Sequence, residues 1–475
     1  MKEFIIIGGG IGGAASAAML AQKGHDVALL EKEPYLGGCS STFTHGKYRY
    51  NTGATTFAGY GEGLLLHDFF HALHVRLPIE PIDPALTVIS PQGTVHRHQD
   101  LSLFLDSLNA TFYHKDNGSF WTLVRDVTSA FLSYQGYWYS HASWVRYTRS
   151  LLSFMPVAKA FWPYLLQRAD TLFDTLLPNH SIAYRTFLES QLLIITQAPS
   201  QHINALSALL ALGYTFLPNH YVQGGMGMLF NALEQHIPTV HKQTTVKNIV
   251  HYKNNYHVYT DKGMYMAQNV VLNTPTFCSS SLFDQKVYKD YFDSFAALDN
   301  DQSAFMVYFT LKSEKRFCHH YQLIQEKPLP LTLSQALFVS FSSQNDSHIA
   351  PSGHYSITVS IHTKTSWWKA MDKTTYTQEK KLLVSTILDR ICDTLDIDKS
   401  EIVTAFGATP LSFERYLHRS QLGGIPMSVQ RPFYKNPAND TPFEGLYLVG
   451  DTTFAAQGWP GVIAGVRNLE RIIHG

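Results

Sequence analysis

The chain opens with an alternation of apolar blocks and glycine-rich breaks. Phe4-Ile5-Ile6-Ile7 is wholly apolar, as a strand buried on both faces of a parallel sheet requires. Residues 14–23 (AASAAMLAQK) predict a helix with small residues on its packing side. Val27-Ala28-Leu29-Leu30 predicts a second buried strand, and it ends on Glu31. Residues 43–53 then predict a hairpin with its turn at His45-Gly46, residues 63–75 a helix, and residues 86–89 and 95–96 short strands. Residues 110–217 predict a mostly helical, aromatic-rich region. Strands are expected at 245–250, 256–260, 269–272, 303–311, 336–340 and 355–361, with a helix at 378–395. The tail predicts a strand at 445–451, a turn at 458–461 and a closing helix at 462–473. There is no internal repeat.

The first break, Gly8-Gly9-Gly10-Ile11-Gly12-Gly13, fits G-x-G-x-x-G between strand and helix. Gly8 permits the tight turn out of the strand, Gly10 a close backbone approach to a pyrophosphate, and Gly13 close packing of helix on sheet. The helix N-terminus offers free N–H groups to phosphates. Glu31, after the second strand, is placed to accept hydrogen bonds from ribose hydroxyls. The pattern predicts a dinucleotide-binding unit in an α/β protein. Asp451, at the end of the tail strand and before a helix, suits a hydroxylated linker such as ribityl.

Composition narrows the ligand. Charged residues are 16% of the 475 positions, against roughly 25% in an average soluble protein. Aromatic residues are 13% and the net charge is zero, which favours an apolar ligand and gives no sign of nucleic acid. Cys39, Cys278, Cys318 and Cys392 form no CxxC pair and no zinc spacing, so a reduced, cytoplasmic protein is expected. The apolar N-terminus holds the nucleotide motif itself and so does not read as a signal peptide. The longest apolar-leaning run, residues 203–217, falls short of a membrane span.

Trp, Tyr and basic residues are interleaved between 115 and 168, which suits peripheral docking on the inner face of a membrane. The plainer reading is a core of aromatic side chains, and Pro156 and Pro163 are expected to break any long helix there. His67, His71 and His74 recur at i, i+4 and i+7 of a predicted helix. A metal needs a further ligand that nothing indicates, so no metal site is assigned. Cys39 reads as a small packing residue rather than a reactive thiol.

Six segments, in order along the whole chain, carry a resemblance: the glycine motif with Glu31, then LEKEPYLGGCSSTF (30–43), YRYNTGATTF (48–57), YVQGGMGML (221–229), VLNTP (271–275) and GLYLVGDTTFAAQGWPGVIAG (445–465). The chain resembles the FAD-dependent phytoene desaturase, carotenoid isomerase and retinol saturase superfamily, itself related to flavin amine oxidases. The resemblance implies a Rossmann-like FAD-binding domain from residues 1–60, 220–285 and 430–475. It also implies a discontinuous α+β substrate domain from 61–219 and 286–429, which includes the helical region 110–217. It implies that Gly8, Gly10 and Gly13 hold the FAD pyrophosphate, Glu31 the adenosine ribose and Val246 the adenine. Gly37 and Gly38 would line the cofactor, Asp451 would bind the pyrophosphate–ribityl region, and Val462 would approach the flavin ring. Residues 52–55 should run close to that ring, and Thr55 and Trp459 are the candidates for catalysis there.

The sequence departs from the wider family twice. Cys39 stands where amine oxidases and many desaturases have Arg, and Asn51 where an Asp is usual, so a carboxylate role at 51 is in doubt. The expected activity is desaturation, saturation or isomerisation of C=C bonds in a long apolar polyene by hydride chemistry at flavin N5. The alternatives are a flavin amine oxidase and a non-enzymatic prenyl-binding protein of the same fold, like the Rab GDP-dissociation inhibitors. Nothing in the sequence names the electron acceptor.

Overall fold

The computed structural model describes residues 1–431, 435–455 and 458–475. Ala456 and Gln457, in the last of the six segments, lie outside the described residues.

Two seven-stranded sheets organise the chain. In the first, Lys2–Ile7 lies between Val27–Leu30 and Gly263–Leu272, all parallel. Val240–His241 extends one side, and Leu446–Leu448 pairs parallel to the end of Gly263–Leu272. An antiparallel meander, Val246–Tyr252 and Asn255–Thr260, folds against the start of Gly263–Leu272. The unbroken apolar run of the first strand is explained by two cores. Phe4 and Ile6 pack on the helical side with Met19 and Leu20, and Ile5 and Ile7 pack on the other with Val258 and Phe283.

The second sheet runs Ile402–Ala408, Gln302–Lys312, His354–Lys364, Ala336–Phe341, His320–Ile324, Leu86–Ser90, Gly93–Arg97. It is antiparallel except where His320–Ile324 meets Leu86–Ser90. One face packs Phe305, Val307 and Phe309 on the helix Lys373–Leu395 through Leu383, Ile387 and Ile391. The opposite face presents Ala304, Met306 and Phe338 to a cavity.

The helical region contains Asn117–Ser133, Trp144–Leu166, Ala169–Leu176, Ile182–Thr196 and Ala205–Gly213. Arg97, fully buried at the sheet edge, ties the sheet to these helices. Its guanidinium donates to Gln191 Oε1, the Leu212 carbonyl and Thr215 Oγ1, and lies over the rings of Phe104 and Trp121. Burial without a carboxylate partner lowers its pKa to about 10.

Three expectations are corrected. Trp144–Leu166 runs unbroken through Pro156 and Pro163. Both prolines, and the residues four before them, Leu152 and Lys159, lie on its exposed face. The carbonyls left without an N–H partner there can be met from outside the protein. Gly458–His474 is one helix, so Trp459 and Pro460 form its first turn rather than a separate turn; proline is tolerated there because first-turn N–H groups need no intrahelical acceptor. The helix Leu65–Ala72 ends before His74, which has a φ of 56°, so the three histidines do not share one helix face. The short strands His320–Ile324 and Ile402–Ala408 were not foreseen.

Candidate functional site

The glycine loop is shaped by its neighbours inside the protein. Gly8 leaves the first strand with a φ of +94°, a conformation side chains disfavour. A Cβ on Gly13 would lie 1.9 Å from the Gly8 carbonyl oxygen, so helix and strand meet at backbone distance. Gly13 does not line the cavity and sits under the loop. Asn273 wedges against the same loop. Its Nδ2 donates to the Gly8 carbonyl at 3.2 Å. A Cβ on Gly10 would come within 2.8 Å of its Nδ2, and one on Gly12 within 2.7 Å of its Oδ1. The segment VLNTP was visible in the sequence, but this role for Asn273 was not.

A cavity of about 900 Å³ opens beside the loop. Gly8, Gly10, Glu31, Gly37, Gly38, Val246, Asp451 and Val462 all line it, together with Thr55 and Trp459. The structure thus gathers residues from five separate stretches of chain around one space. The walls are of two kinds. One is glycine, backbone and charge. The other is apolar and comes from the helical region, with Phe131, Leu132, Phe154, Val157, Ile194 and Leu210.

On the polar wall, Glu31 accepts the Gly9 N–H through Oε2 at 2.6 Å and the Glu33 N–H through Oε1 at 2.8 Å. Burial raises its pKa, and those two N–H groups counter the rise in part. Lone pairs remain on both oxygens for a hydroxylated ligand. The Lys32 ammonium, also on this wall, is buried without a hydrogen-bond partner, and Glu33 lies 3.9 Å away. Burial lowers its pKa. Asp451 does not face the cavity alone. Arg419 donates to both of its oxygens, at 3.0 and 3.1 Å. Burial opposes the Arg419 charge, yet Asp451 outweighs it and holds the guanidinium above its ordinary pKa. Arg419 lies in no motif, and nothing in the sequence signalled it.

Comparison with known proteins bears on this geometry. Residues 6–73 match the model of the NAD(P)-binding Rossmann-like domain. Prolycopene isomerase 2, chloroplastic, of an Oncidium hybrid cultivar is 24% identical over 99% of this chain and 83% of its own length. A 4,4'-diapophytoene desaturase of Staphylococcus haemolyticus is 23% identical over 99% of both chains. Over nearly its whole length the chain is similar to enzymes of the carotenoid desaturase and isomerase superfamily. Its named relatives are enzymes across nearly the whole length of this chain, and the protein is an enzyme. A double mutant of putrescine oxidase superposes with a TM-score of 0.66 at 14% identity, covering 100% of this chain and 99% of the other, a likeness of fold.

Within the superfamily the departures now have settings. Asn51 accepts from Thr42 Oγ1 and the Met226 N–H, both at 2.9 Å, so it braces the glycine turn at 224–227. Burial pushes the Cys39 thiol pKa up, which leaves it a poor nucleophile. Trp459 is 4% exposed. Its Nε1 donates to Ser40 Oγ at 3.2 Å, and its ring stands perpendicular to Phe57. Thr55 Oγ1 accepts from Ser340 Oγ at 2.7 Å, and Ser340 Oγ in turn lies 3.0 Å from His320 Nδ1. His320 is buried, which lowers its pKa to about 3 and keeps the ring neutral. Thr55 is therefore held from behind by a neutral chain. Stacked His67 and His71 are 5.7 Å apart between ring centres, and no cluster suited to a metal ion occurs among the described residues.

Proposed function

We propose that the protein is an FAD-dependent oxidoreductase that acts on the C=C bonds of a long apolar polyene or isoprenoid. The observation that carries this reading is the shared cavity: a wall of glycine, backbone and charge and an apolar wall enclose one space. The residues present fit the cofactor. The helix Ile11–Gln22 has no side-chain cap at Gly10, so its N-terminal amides are open to an anion. Glu31 keeps acceptor capacity for ribose hydroxyls, and the buried Lys32 ammonium lacks a hydrogen-bond acceptor. Gly8 and Gly10 would hold the diphosphate, Glu31 and Val246 the adenosine, and Gly37, Gly38 and Val462 the flavin end. Bound FAD would supply the hydride acceptor or donor. The apolar wall would align the polyene and exclude water, and Thr55 and Trp459 would fix the position of the reacting bond.

The substrate's solubility supports a membrane partner. Along Trp144–Leu166 the outer face exposes Trp144 at 76%, Leu152 at 66%, Met155 at 61% and Trp162 at 57%. Lys159 lies on the same face, and such a stripe suits the interface of a bilayer with anionic lipid. No described helix is long and apolar enough to cross a membrane.

The test is reconstitution with FAD followed by anaerobic incubation with cis- and trans-polyenes. The expected result is a bound-flavin absorption spectrum and a polyene product that differs in bond order or geometry. A protein that binds flavin yet converts amines and no polyene would make it an amine oxidase. One that takes up no flavin but retains the lipid would count against oxidoreductase chemistry.

A further inference from the structure

Arg419 is a buried cation on the wall of the cavity, and the mechanism above leaves it without a task. It reaches the cavity from the stretch after the helix Pro410–Leu417, outside every cofactor motif. Its side chain is 13% exposed and that of its partner Asp451 25%. Nε donates to the Gln421 carbonyl at 2.7 Å, and the two terminal nitrogens each donate once to Asp451. Three of the five guanidinium N–H groups are thereby used, and two remain. Its surroundings include Cys39 and Cys278. The charge on Arg419 acts on the Cys39 thiol and on Cys278, pulling both pKa values down against the rise from burial. Gly10, Gly12, Gly38 and Cys39 share the cavity wall with it.

We propose that Arg419, aligned by Asp451, is the cationic clamp for the cofactor diphosphate. This rests on the FAD reading above. The pairing with Asp451 fixes the plane of the guanidinium, so its remaining N–H groups are oriented before an anion arrives.

The test is FAD binding to apoprotein, followed by fluorescence quenching, for wild type, Arg419→Gln, Arg419→Lys and the double variant Arg419→Gln/Cys39→Arg, with ADP as competitor. Arg419→Gln should raise the dissociation constants of FAD and ADP together, by about ten- to a hundredfold, the value of a charge-assisted contact. Arg419→Lys keeps the charge without the fork and should lose less. Restoration of both affinities by Cys39→Arg in the Arg419→Gln background would establish the cationic role. Unchanged FAD binding in Arg419→Gln would overturn the proposal. So would loss of FAD affinity with ADP affinity intact, which would place Arg419 on the ribityl side, acting through Asp451. A wild-type protein that binds neither FAD nor ADP would remove the cofactor reading itself, whatever the variants do.

Discussion

The two walls of the cavity are built by different rules. The polar wall is backbone held at fixed distances: Gly13 against the Gly8 carbonyl, Gly10 and Gly12 against the Asn273 amide, Glu31 on the Gly9 N–H. The demand at each position is a distance between named atoms. The apolar wall is side-chain bulk on helices, where Leu132, Val157 and Ile194 offer only shape and dryness. Many sequences satisfy that demand. The cofactor end should therefore fail sharply on single changes, while the substrate end should tolerate volume-conserving swaps and fail on charge.

The largest effect should come from the polar wall. Gly13→Ala sets a methyl 1.9 Å from a carbonyl oxygen in the core of the first sheet. It should cost on the order of 3–5 kcal/mol in a chemical melt, or abolish soluble protein. Gly118→Ala, in the helix Asn117–Ser133 with nothing near the added methyl, should be neutral or slightly stabilising. Equal damage from both would erase the distinction.

Next comes the apolar wall. Leu210→Asp on the helix Ala205–Gly213 places a carboxylate among apolar neighbours. It should leave flavin binding within about twofold and weaken polyene binding by about a hundredfold or more, because an unpaired charge must stay hydrated. Loss of flavin would mean that the two walls are one cooperative unit.

The outer face of the same region gives a smaller effect. Trp144→Ser with Trp162→Ser should reduce co-sedimentation with anionic vesicles by about ten- to a hundredfold. It should hardly move the melting temperature, since both rings are exposed. A melting shift without a change in vesicle binding would return those rings to a structural role.

The smallest and most graded effect is in pH. His320 has its pKa lowered from 6.5 to about 3 by burial, so the folded protein binds fewer protons there than the unfolded chain. Its contribution is complete above pH 6.5 and is lost as pH falls towards 3. The loss attributable to this residue is roughly 3–5 kcal/mol at the acid end. His320→Asn should flatten that part of the profile, and an unchanged slope would show that other groups control it.

The same contrast governs how much was legible in the sequence. Gly8 to Gly13, Glu31 and Asp451 were readable because local backbone geometry and dinucleotide shape restrict the residue type. The strand Lys2–Ile7 was readable because burial on both faces leaves an unbroken apolar run. Arg419 and Asn273 were not, since each acts on a partner over 30 positions away and no spacing announces it. Among the aromatics of 110–217, Trp121 and Trp144 look alike in the sequence. One is buried under Arg97 and the other stands 76% exposed, and only tertiary packing separates them. Pro156 and Pro163 misled for a related reason: proline breaks a helix only where the freed carbonyl has no other partner.

The helix Trp144–Leu166 turns Phe154 and Val157 inward to the cavity and Trp144 and Trp162 outward. With the outer face in lipid, substrate supply is counted in mole fraction of the bilayer rather than in moles per litre of water. Added inert lipid would then slow turnover by surface dilution at constant total substrate. An apparent KM would scale with the amount of detergent or lipid in the assay, and kinetic constants from two preparations would agree only when expressed per unit of interface.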